Sequence, residues 1–336
     1  MQKNYFHNKK KAIVITTINK PNSYIKYYSE LQGWDLIIVG DVKTQTDWYK
    51  DVNCIFLSLT DQELLFPKLY SVVPFNNYAR KMFGYLYCIR NGYDIIYETD
   101  DDNINLDINK FYSEFTALAN SNTPINVYKF YTDIKFNNKQ LIYPRGLPIQ
   151  FANADFYVQE DTTEQKDISV IQGLVNGDPD IDAKCRIVLK NTNFTFENNL
   201  DKDLILDKNC YCPFNAQNTF WTDNSMFYNL YLPVSVNFRY TDILRSYVTL
   251  NQLYRNNKHI KFTPPSANQV RNKHDLYKDL LDETEMYDTV LTVINLLKDN
   301  CNSSIQEIYH KLYIENIVTA QELTTLDIFL QEIENK

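Results

Sequence analysis

Apolar, β-branched residues recur in short blocks along the first hundred positions, and polar residues follow each block. Two segments between the blocks have helical spacing, 23–31 and FNNYARKMFGYLYCIRNG (75–92), and the second ends on Asn-Gly, a helix stop signal. Strands that alternate with helices predict βαβ units and a mainly parallel sheet flanked by helices. The blocks that predict buried strands are AIVITTI (12–18), DLIIVGD (35–41), NCIFLSL (53–59) and DIIYETD (94–100).

The pattern changes in the second half of the chain. A turn-rich YPRGLP (143–148) precedes a helix candidate after Asp182, and LYLPVSVNF (230–238) predicts a further strand region. From position 274 to the end the apolar spacing is helical. We therefore predict one large α/β domain over 10–272 and a helical C-terminal extension over 273–336.

Composition excludes several classes of protein. The net charge of −8 does not suit a broad nucleic-acid or anionic-membrane surface. With 7 Gly and no G-x-G-x-x-G or G-x-x-x-x-G-K, a glycine-rich phosphate loop is excluded. The 6 Cys include no C-x-x-C pair and do not predict a four-ligand zinc site. No stretch approaches the roughly 18 apolar residues of a membrane span, so we expect no span and a cytoplasmic location.

Three consecutive aspartates, Asp100, Asp101 and Asp102, follow the fourth predicted strand. Adjacent carboxylates repel one another, so the cluster is either a solvated acidic turn or a site completed by a cation. Ligands collect beyond the carboxyl ends of parallel strands, and Mg²⁺ and Mn²⁺ prefer carboxylate oxygens. Asp102 is the expected metal ligand, with Asp100 as a second ligand or a contact to sugar or ribose hydroxyls. Asp101 would belong to the same site.

Many ordered blocks of the sequence resemble the STELLO family of glycosyltransferases, over most of the chain. The blocks are VITTINKP, GWDLIIVGDVKT, FNNYARKMFGYLYCIRNGYDIIYETDDDN, YPRGLP, IQGLVNGDPDIDA, CPFNAQNTFW, LYLPVSVNFRYTDILRSYV and RNKHDLYKDLLDE. Two of them, GLVNGDPDIDA and FRYTDILRSYV, are more distantly similar to the reversibly glycosylated polypeptides, which include UDP-arabinopyranose mutases. The resemblance implies a GT-A-like, Rossmann-type fold, with a nucleotide-sugar half over about 10–104 and an acceptor half over about 105–272. Plant members carry an N-terminal membrane anchor, and we expect none here.

The resemblance assigns the donor side of the site to residues in the first hundred positions. Thr16, Thr17 and Asp41 would seat the nucleoside, as residues at these strand ends do in GT-A folds; the alternative is that they cap the strands. Arg80 and Lys81 match the family's N-x-Y-x-R-K block and would contact the diphosphate or the donor sugar. A solvated helix face is the alternative for this pair.

The block NGDPDIDA offers Asp178, Asp180 and Asp182 at alternate positions. An inverting transferase needs a carboxylate that removes the proton of the acceptor hydroxyl as the sugar carbon is attacked. We predict Asp182 as this base, because it falls in the first turn of the following helix, where the helix dipole favours the ionised form. Asp180 is expected at the capping position and is a second candidate.

The block FRYTDILRSY supplies Arg239, Asp242 and Arg245. Asp242 is the reserve candidate for the base, and the two arginines would bind sugar or phosphate beside the acids. Asp242 and Arg245 lie three positions apart, so on a helix they could instead form a plain ion pair. Arg145, in the YPRGLP loop, is a further candidate for the same binding role. His274 would complete the metal coordination, unless it is an ordinary residue at a helix N-terminus.

The predicted function is that of a Mn²⁺- or Mg²⁺-dependent, inverting glycosyltransferase. Its donor would be a nucleotide sugar, with a UDP-sugar favoured, and its acceptor a glycan or another hydroxyl-bearing molecule. One alternative is a sugar-nucleotide mutase, which would need the donor but no separate acceptor. A second alternative is a non-catalytic assembly partner that binds a sugar nucleotide. Such a protein would have little use for so many carboxylates of like charge close together.

Overall fold

The computed structural model describes residues 9–105, 107–109, 113, 115–132, 141–160, 166–189, 193–270 and 275–335. The strands are β1 Lys11–Thr16, β2 Asp35–Val39, β3 Ile55–Leu57, β4 Ile95–Thr99, β5 Asn103–Asn105, β6 Phe115–Asn120, β7 Tyr157–Gln159, β8 Ile168–Gly177, β9 Lys202–Leu206, β10 Asn218–Trp221 and β11 His259–Gln269. They form an 11-stranded sheet in the order β3-β2-β1-β4-β10-β8-β11-β9-β6-β7, with β5 paired to β11.

Helices flank this sheet and make up the C-terminal region. They are α1 Ser23–Ser29, α2 Leu59–Leu65, α3 Pro67–Val72, α4 Lys81–Arg90, α5 Tyr128–Tyr131, α6 Ala183–Leu189, α7 Phe238–Arg255, α8 Leu276–Asp282, α9 Thr284–Asp299, α10 Ile305–Ile314 and α11 Ala320–Glu334. The strands β1 to β4 pair in parallel, whereas β10 runs antiparallel between β4 and β8. The predicted α/β architecture, a mixed sheet flanked by helices with a helical C-terminal region, is confirmed.

The close packing of α4 on the sheet depends on Gly84. A Cβ atom at this position would lie 2.6 Å from Cγ1 of Val14 in β1 and 2.8 Å from Cγ2 of Val39 in β2. Real Cβ atoms do not approach other carbons that closely, so a larger residue would push the helix away from the strands. The helix predicted over 75–92 begins later than expected, at Lys81, after a 3₁₀ turn over Tyr78–Arg80.

A buried carboxylate, Glu98, lies in β4 two positions before the first of the aspartates. Glu98 forms a two-point ion pair with Arg245 of α7 and accepts hydrogen bonds from Trp221 and Tyr85. Burial by itself raises the pKa of Glu98, but Arg245 and Tyr85 help to hold it below the usual value. This network joins β4, α4, β10 and α7 beneath the cluster of acids.

The predicted strand over 230–238 is wrong. Residues 231–237 lie between a 3₁₀ segment and α7, which begins at Phe238. The backbone N–H groups of Val234 and Ser235 donate to the carboxylate of Glu322 in α11 instead of to a neighbouring strand. A buried acid thus takes the place of a strand partner, which an apolar run in the sequence does not reveal.

The C-terminal helices pack against the α/β sheet region and share its hydrophobic core. Met286 and Val290 of α9 and Leu326 and Phe329 of α11 belong to the same buried cluster as residues of β1 and α4. The helix predicted from the run after 274 is interrupted at Glu283, between α8 and α9. The proposed boundary near 272 stays a prediction. Among the described residues, no helix combines the length and apolar composition that a membrane span requires.

Candidate active site

A cavity of about 380 Å³ opens at the carboxyl ends of β1, β2 and β4. Predicted residues from both halves of the chain line it. From the first half they are Thr16, Thr17, Asp41, Asp100, Asp101 and Asp102. From the second half they are Arg145, Asp180, Arg239 and Asp242. The fold therefore gathers in one cavity groups that the sequence separates widely.

The three aspartates have different surroundings. Thr17 Oγ1 and Asn19 Nδ2 donate to Oδ2 of Asp101, at 2.5 Å and 2.9 Å, so this carboxylate holds the loop after β1. Oδ1 of Asp102 accepts a hydrogen bond from Nδ2 of Asn103 at 2.9 Å. Asp101 thus joins the loop after β1 to the loop after β4. Asp102 also lines the cavity, and the side-chain amide of Asn103 supports it.

Lys81 lies beneath Asp100. Its ammonium donates to Oδ1 of Asp100 at 3.1 Å, to the hydroxyl of Tyr78 at 2.8 Å and to the carbonyl of Thr99 at 2.7 Å. Tyr78 also donates to Asp100 Oδ1, at 3.0 Å. Burial raises the pKa of Asp100, and Lys81 and Tyr78 oppose this rise. Lys81 is fully buried and is not among the described residues that line the cavity, so it supports Asp100 from below.

The donor set fits a hard divalent cation only in part. Among the described residues, no group of three or more His, Cys, Asp or Glu side chains is arranged to hold a metal ion. Asp100 and Asp102 offer two carboxylates, which suits a Mg²⁺ or Mn²⁺ ion that takes its other ligands from substrate phosphates and water. The third predicted ligand, His274, lies outside the described residues.

Thr16 and Asp41 both cap backbone groups and face the cavity. The hydroxyl of Thr16 donates to the carbonyl of Val39 at 3.2 Å, and Asp41 accepts the N–H of Val42 at 2.7 Å and of Asn77 at 3.2 Å. The two interpretations of these residues are compatible, because capping bonds orient the same side chains toward the cavity.

Arg80 is buried away from the cavity lining. Its Nη2 donates to Oε1 of Gln62, and its guanidinium lies 4.9 Å and 4.8 Å from the ring centres of Phe75 and Phe83. Its Nε is 4.0 Å from Oδ1 of Asp41. The solvated helix face is therefore wrong for Arg80, because the side chain is fully buried. Its contact with a donor stays a prediction, and Asp41 is the link between Arg80 and the cavity.

Arg145 joins the two acids that line the second half of the cavity. Its Nε and Nη2 donate to Oδ1 and Oδ2 of Asp180 at 2.9 Å and 2.8 Å, and Nη2 also donates to Oδ2 of Asp242 at 2.9 Å. Asn215 donates to Asp180 at 3.0 Å. Burial lowers the pKa of Arg145, but the two carboxylates raise it well above the ordinary value, so the arginine stays charged. Arg145 and its two carboxylate partners therefore form one buried cluster, with the guanidinium between the two acids.

The other two acids of NGDPDIDA turn away from the cavity. Asp178 pairs with Arg186 of α6. Oδ1 of Asp182 accepts the N–H of Cys185 at 2.6 Å, which makes Asp182 the cap of α6. The capping position expected for Asp180 is therefore occupied by Asp182. Asp180 instead faces the cavity from the loop before the helix, where Arg145 holds it. Burial and nearby Glu283 raise the pKa of Asp182 to about 6.

Arg239 and Arg245 lie on α7 but have different neighbours. Arg239 lines the cavity and donates through Nε and Nη2 to Oε1 of Glu283. Arg245 is not among the described cavity-lining residues, because it pairs with Glu98. The plain ion pair between Asp242 and Arg245 is not formed, since each has a different, more distant partner in the sequence.

Sequence reasoning missed three residues of the site. Glu98 was signalled by a charge inside an apolar strand, which is unusual unless the charge is paired. Asn215, which lines the cavity and supports Asp180, lies in a block that was noted only for its family resemblance. Glu283 carries no local signal, because an acid at a break between two helices is usually solvated.

Comparison with known proteins agrees with the predicted family. The sequence profile described as STELLO glycosyltransferases matches residues 239–335. "Probable glycosyltransferase STELLO1" of Arabidopsis thaliana is 26% identical over 347 residues, covering 96% of this chain and 44% of that protein. "Probable glycosyltransferase STELLO2" of the same plant is 26% identical over 282 residues, covering 77% of this chain and 35% of that protein. The chain resembles the STELLO glycosyltransferases. The resemblance predicted from the sequence is confirmed.

This STELLO-like chain spans less than half the length of the curated relatives that it matches. Among solved structures, glucosyl-3-phosphoglycerate synthase from Mycobacterium tuberculosis with Mn²⁺ and UDP-glucose is 12% identical, with a TM-score of 0.40. The matched region covers 86% of this chain and 78% of the synthase. The complex of the same synthase that also contains phosphoglyceric acid is 11% identical, with a TM-score of 0.42. Here the matched region covers 88% of this chain and 81% of the synthase.

Proposed function

We propose that this chain is a divalent-metal-dependent glycosyltransferase that transfers a sugar from a UDP-sugar to a hydroxyl-bearing acceptor, with inversion at the anomeric carbon. The observation that supports the proposal is the meeting of two pairs of carboxylates in one cavity. Asp100 and Asp102 line it at the end of β4, and Asp180 and Asp242 line it beside Arg145. A metal–diphosphate site and an acceptor-activating site are the two parts that such a reaction needs.

The donor side would be formed by the strand ends. Thr16 and Asp41, which line the cavity, would bind the nucleoside through hydroxyl and carboxylate groups, and Asp100 would bind a sugar or ribose hydroxyl. Asp100 and Asp102 would hold Mg²⁺ or Mn²⁺, which when bound supplies positive charge that stabilises the diphosphate leaving group. The buried Lys81 keeps a positive charge beneath Asp100, which limits the repulsion among the three adjacent acids.

On the acceptor side, Asp242 is better suited than Asp180 to be the base. Asp180 accepts hydrogen bonds from Arg145 and Asn215, whereas the second donor to Asp242 is the N–H of Ala216, at a longer distance of 3.4 Å. A carboxylate with fewer close donors keeps more of its acceptor capacity for the hydroxyl of an incoming acceptor. In the proposed step Asp242 takes the acceptor hydroxyl proton as that oxygen bonds the anomeric carbon. The bond from this carbon to the phosphate oxygen breaks, and UDP leaves.

A thermal-shift screen of UDP-sugars with and without Mn²⁺ tests the donor and the metal together. The expected result is a rise in melting temperature that requires both ligands, because only binding to the folded state stabilises it. Product analysis with the donor alone and with candidate acceptors separates transfer from mutase activity. If no nucleotide sugar shifts the melting temperature in Mn²⁺ or Mg²⁺, the proposal is wrong. Binding without turnover would favour an assembly partner.

A further inference from the structure

Glu283 is a fully buried carboxylate at the break between α8 and α9. Its Oε2 accepts the N–H of Ala183, the first residue of α6, at 2.8 Å and the hydroxyl of Tyr287 at 2.7 Å. Its Oε1 accepts Nε of Arg239 at 3.1 Å and Nη2 at 2.5 Å. One side chain of the C-terminal region therefore joins α6, α7 and α9.

The same contact reaches the cavity through Arg239. The side chain of Arg239 lines the cavity, and its backbone carbonyl accepts a hydrogen bond from Nη1 of Arg145. Arg145 in turn holds Asp180 and Asp242. Because Glu283 takes two nitrogens of the Arg239 guanidinium from one side, it sets the plane in which the remaining donors of that group face a ligand.

We propose that Glu283 is a positioning residue, through which the C-terminal helices complete the substrate site by orienting Arg239. This inference rests on the proposed function, since it concerns the binding of the same nucleotide sugar. It differs from a merely structural role in one respect. Loss of the Glu283 carboxylate has to change the affinity for the donor, and not only the stability of the fold.

The two oxygens of Glu283 are both needed. Oε1 serves Arg239 and Oε2 serves Ala183 and Tyr287, so a side chain with a single acceptor oxygen cannot serve both sides. In Glu283→Gln the size is kept, but one side faces an amide NH₂ and the negative charge beside Arg239 is lost. The Arg239 guanidinium then loses the charged, two-point contact that fixes its orientation.

A matched control lies in the same region of the chain. Glu322 of α11 is also a fully buried carboxylate, and it accepts the N–H groups of Val234 and Ser235 and the hydroxyl of Tyr231. None of these four residues is among the described residues that line the cavity. Glu322→Gln should therefore lower the melting temperature while leaving the KM for the donor unchanged.

The experiment compares Glu283→Gln, Glu322→Gln and the parent with the UDP-sugar and metal that the parent uses. For Glu283→Gln we expect the donor KM to rise roughly tenfold or more, with a smaller change in kcat, because the charge-assisted bond orients a binding group. A double variant with Arg239→Lys should show less than the sum of the two single effects on donor binding, whereas Glu322→Gln with Arg239→Lys should be additive.

A parental KM in Glu283→Gln, with a fall in melting temperature like that of Glu322→Gln, would overturn the inference. If Glu283→Gln does not fold, Arg239→Lys alone decides, because it keeps the charge but loses the two-point contact; a parental KM in that variant would also overturn the inference. Failure of the proposed function is distinguishable from both outcomes. In that case the parent itself binds no nucleotide sugar.

Discussion

Arg245 and Glu98 form a two-point ion pair beneath the acidic loop. Nη1 of Arg245 donates to Oε2 of Glu98 at 2.9 Å, and Nη2 donates to Oε1 at 2.7 Å. Both side chains are almost completely buried. The sequence predicts a sugar or phosphate contact for Arg245, but a guanidinium held in this way is oriented toward the protein. The pair therefore stabilises the junction of β4, which Asp100 follows directly, and α7, which carries Asp242 near its N-terminus.

Arg245→Met should be strongly destabilising, because it leaves the Glu98 charge buried without its partner. We expect the free energy of unfolding to fall by about 3–5 kcal/mol. The double variant with Glu98→Gln should lose less than the sum of the two single losses. Urea denaturation of the three variants measures these changes. A loss below about 1 kcal/mol for Arg245→Met, with weaker donor binding, would favour the ligand contact predicted from the sequence.

Asp102→Asn should abolish metal-dependent binding of the UDP-sugar and leave the fold intact. Asp102 lines the cavity, and its amide partner Asn103 can still bond to an asparagine. Replacing a charged oxygen by a neutral amide removes most of its affinity for a hard cation. Calorimetry in Mn²⁺ measures the effect, and Asp107→Asn, an exposed acid in the same segment, is the control. Unchanged Mn²⁺-dependent affinity in Asp102→Asn would remove Asp102 from the metal site.

Asp242→Asn should lower turnover roughly 10²–10⁴-fold and leave donor affinity nearly intact. Asp182→Asn should keep turnover close to that of the parent, because Asp182 caps α6 and an asparagine can serve as the same cap. Transfer assays and separate measurements of donor binding compare the two variants. If Asp182→Asn loses turnover and Asp242→Asn does not, the sequence-based prediction of Asp182 as the base was right.

His259 should make the folded state sensitive to acid. Its two ring nitrogens have no hydrogen-bond partner among the described residues, and burial together with Lys166 lowers its pKa from the usual 6.5. The unfolded chain then binds a proton more readily than the folded chain. Stability is therefore lost as the pH falls below the unfolded pKa of 6.5.

The loss due to this one group is at most about 1.4 kcal/mol per pH unit. Urea denaturation at about pH 7.5 and about pH 5.5, on either side of the roughly 6.5 reference pKa of histidine, measures this loss of stability. His259→Phe should lose less stability than the parent over this interval, while His310→Gln, at an exposed position, should follow the parent. Equal losses in His259→Phe and the parent would show that His259 is not the group responsible.

Local pattern was enough to predict the first four strands of the sheet. The strands β1 to β4 are short apolar runs between polar segments, and a buried strand needs little more than that pattern. The acids at the end of β4 follow from the same reasoning, because the carboxyl ends of parallel strands meet at one edge. The start of α6 after Asp182 and the helical C-terminal region were predictable for the same local reasons.

Which charged group meets which was decided only by the tertiary structure. Arg145 lies 35 positions from Asp180 and 97 from Asp242, and no spacing in the sequence indicates that one arginine serves both acids. The burial of Arg80 among aromatic rings was equally hidden, since an Arg-Lys pair on a helix has the same local pattern whether solvated or buried. The partner of a long charged side chain is set by packing and desolvation, which operate only after distant segments of the chain have come together. The sequence by itself therefore determined the candidate residues, and the tertiary structure determined how they pair.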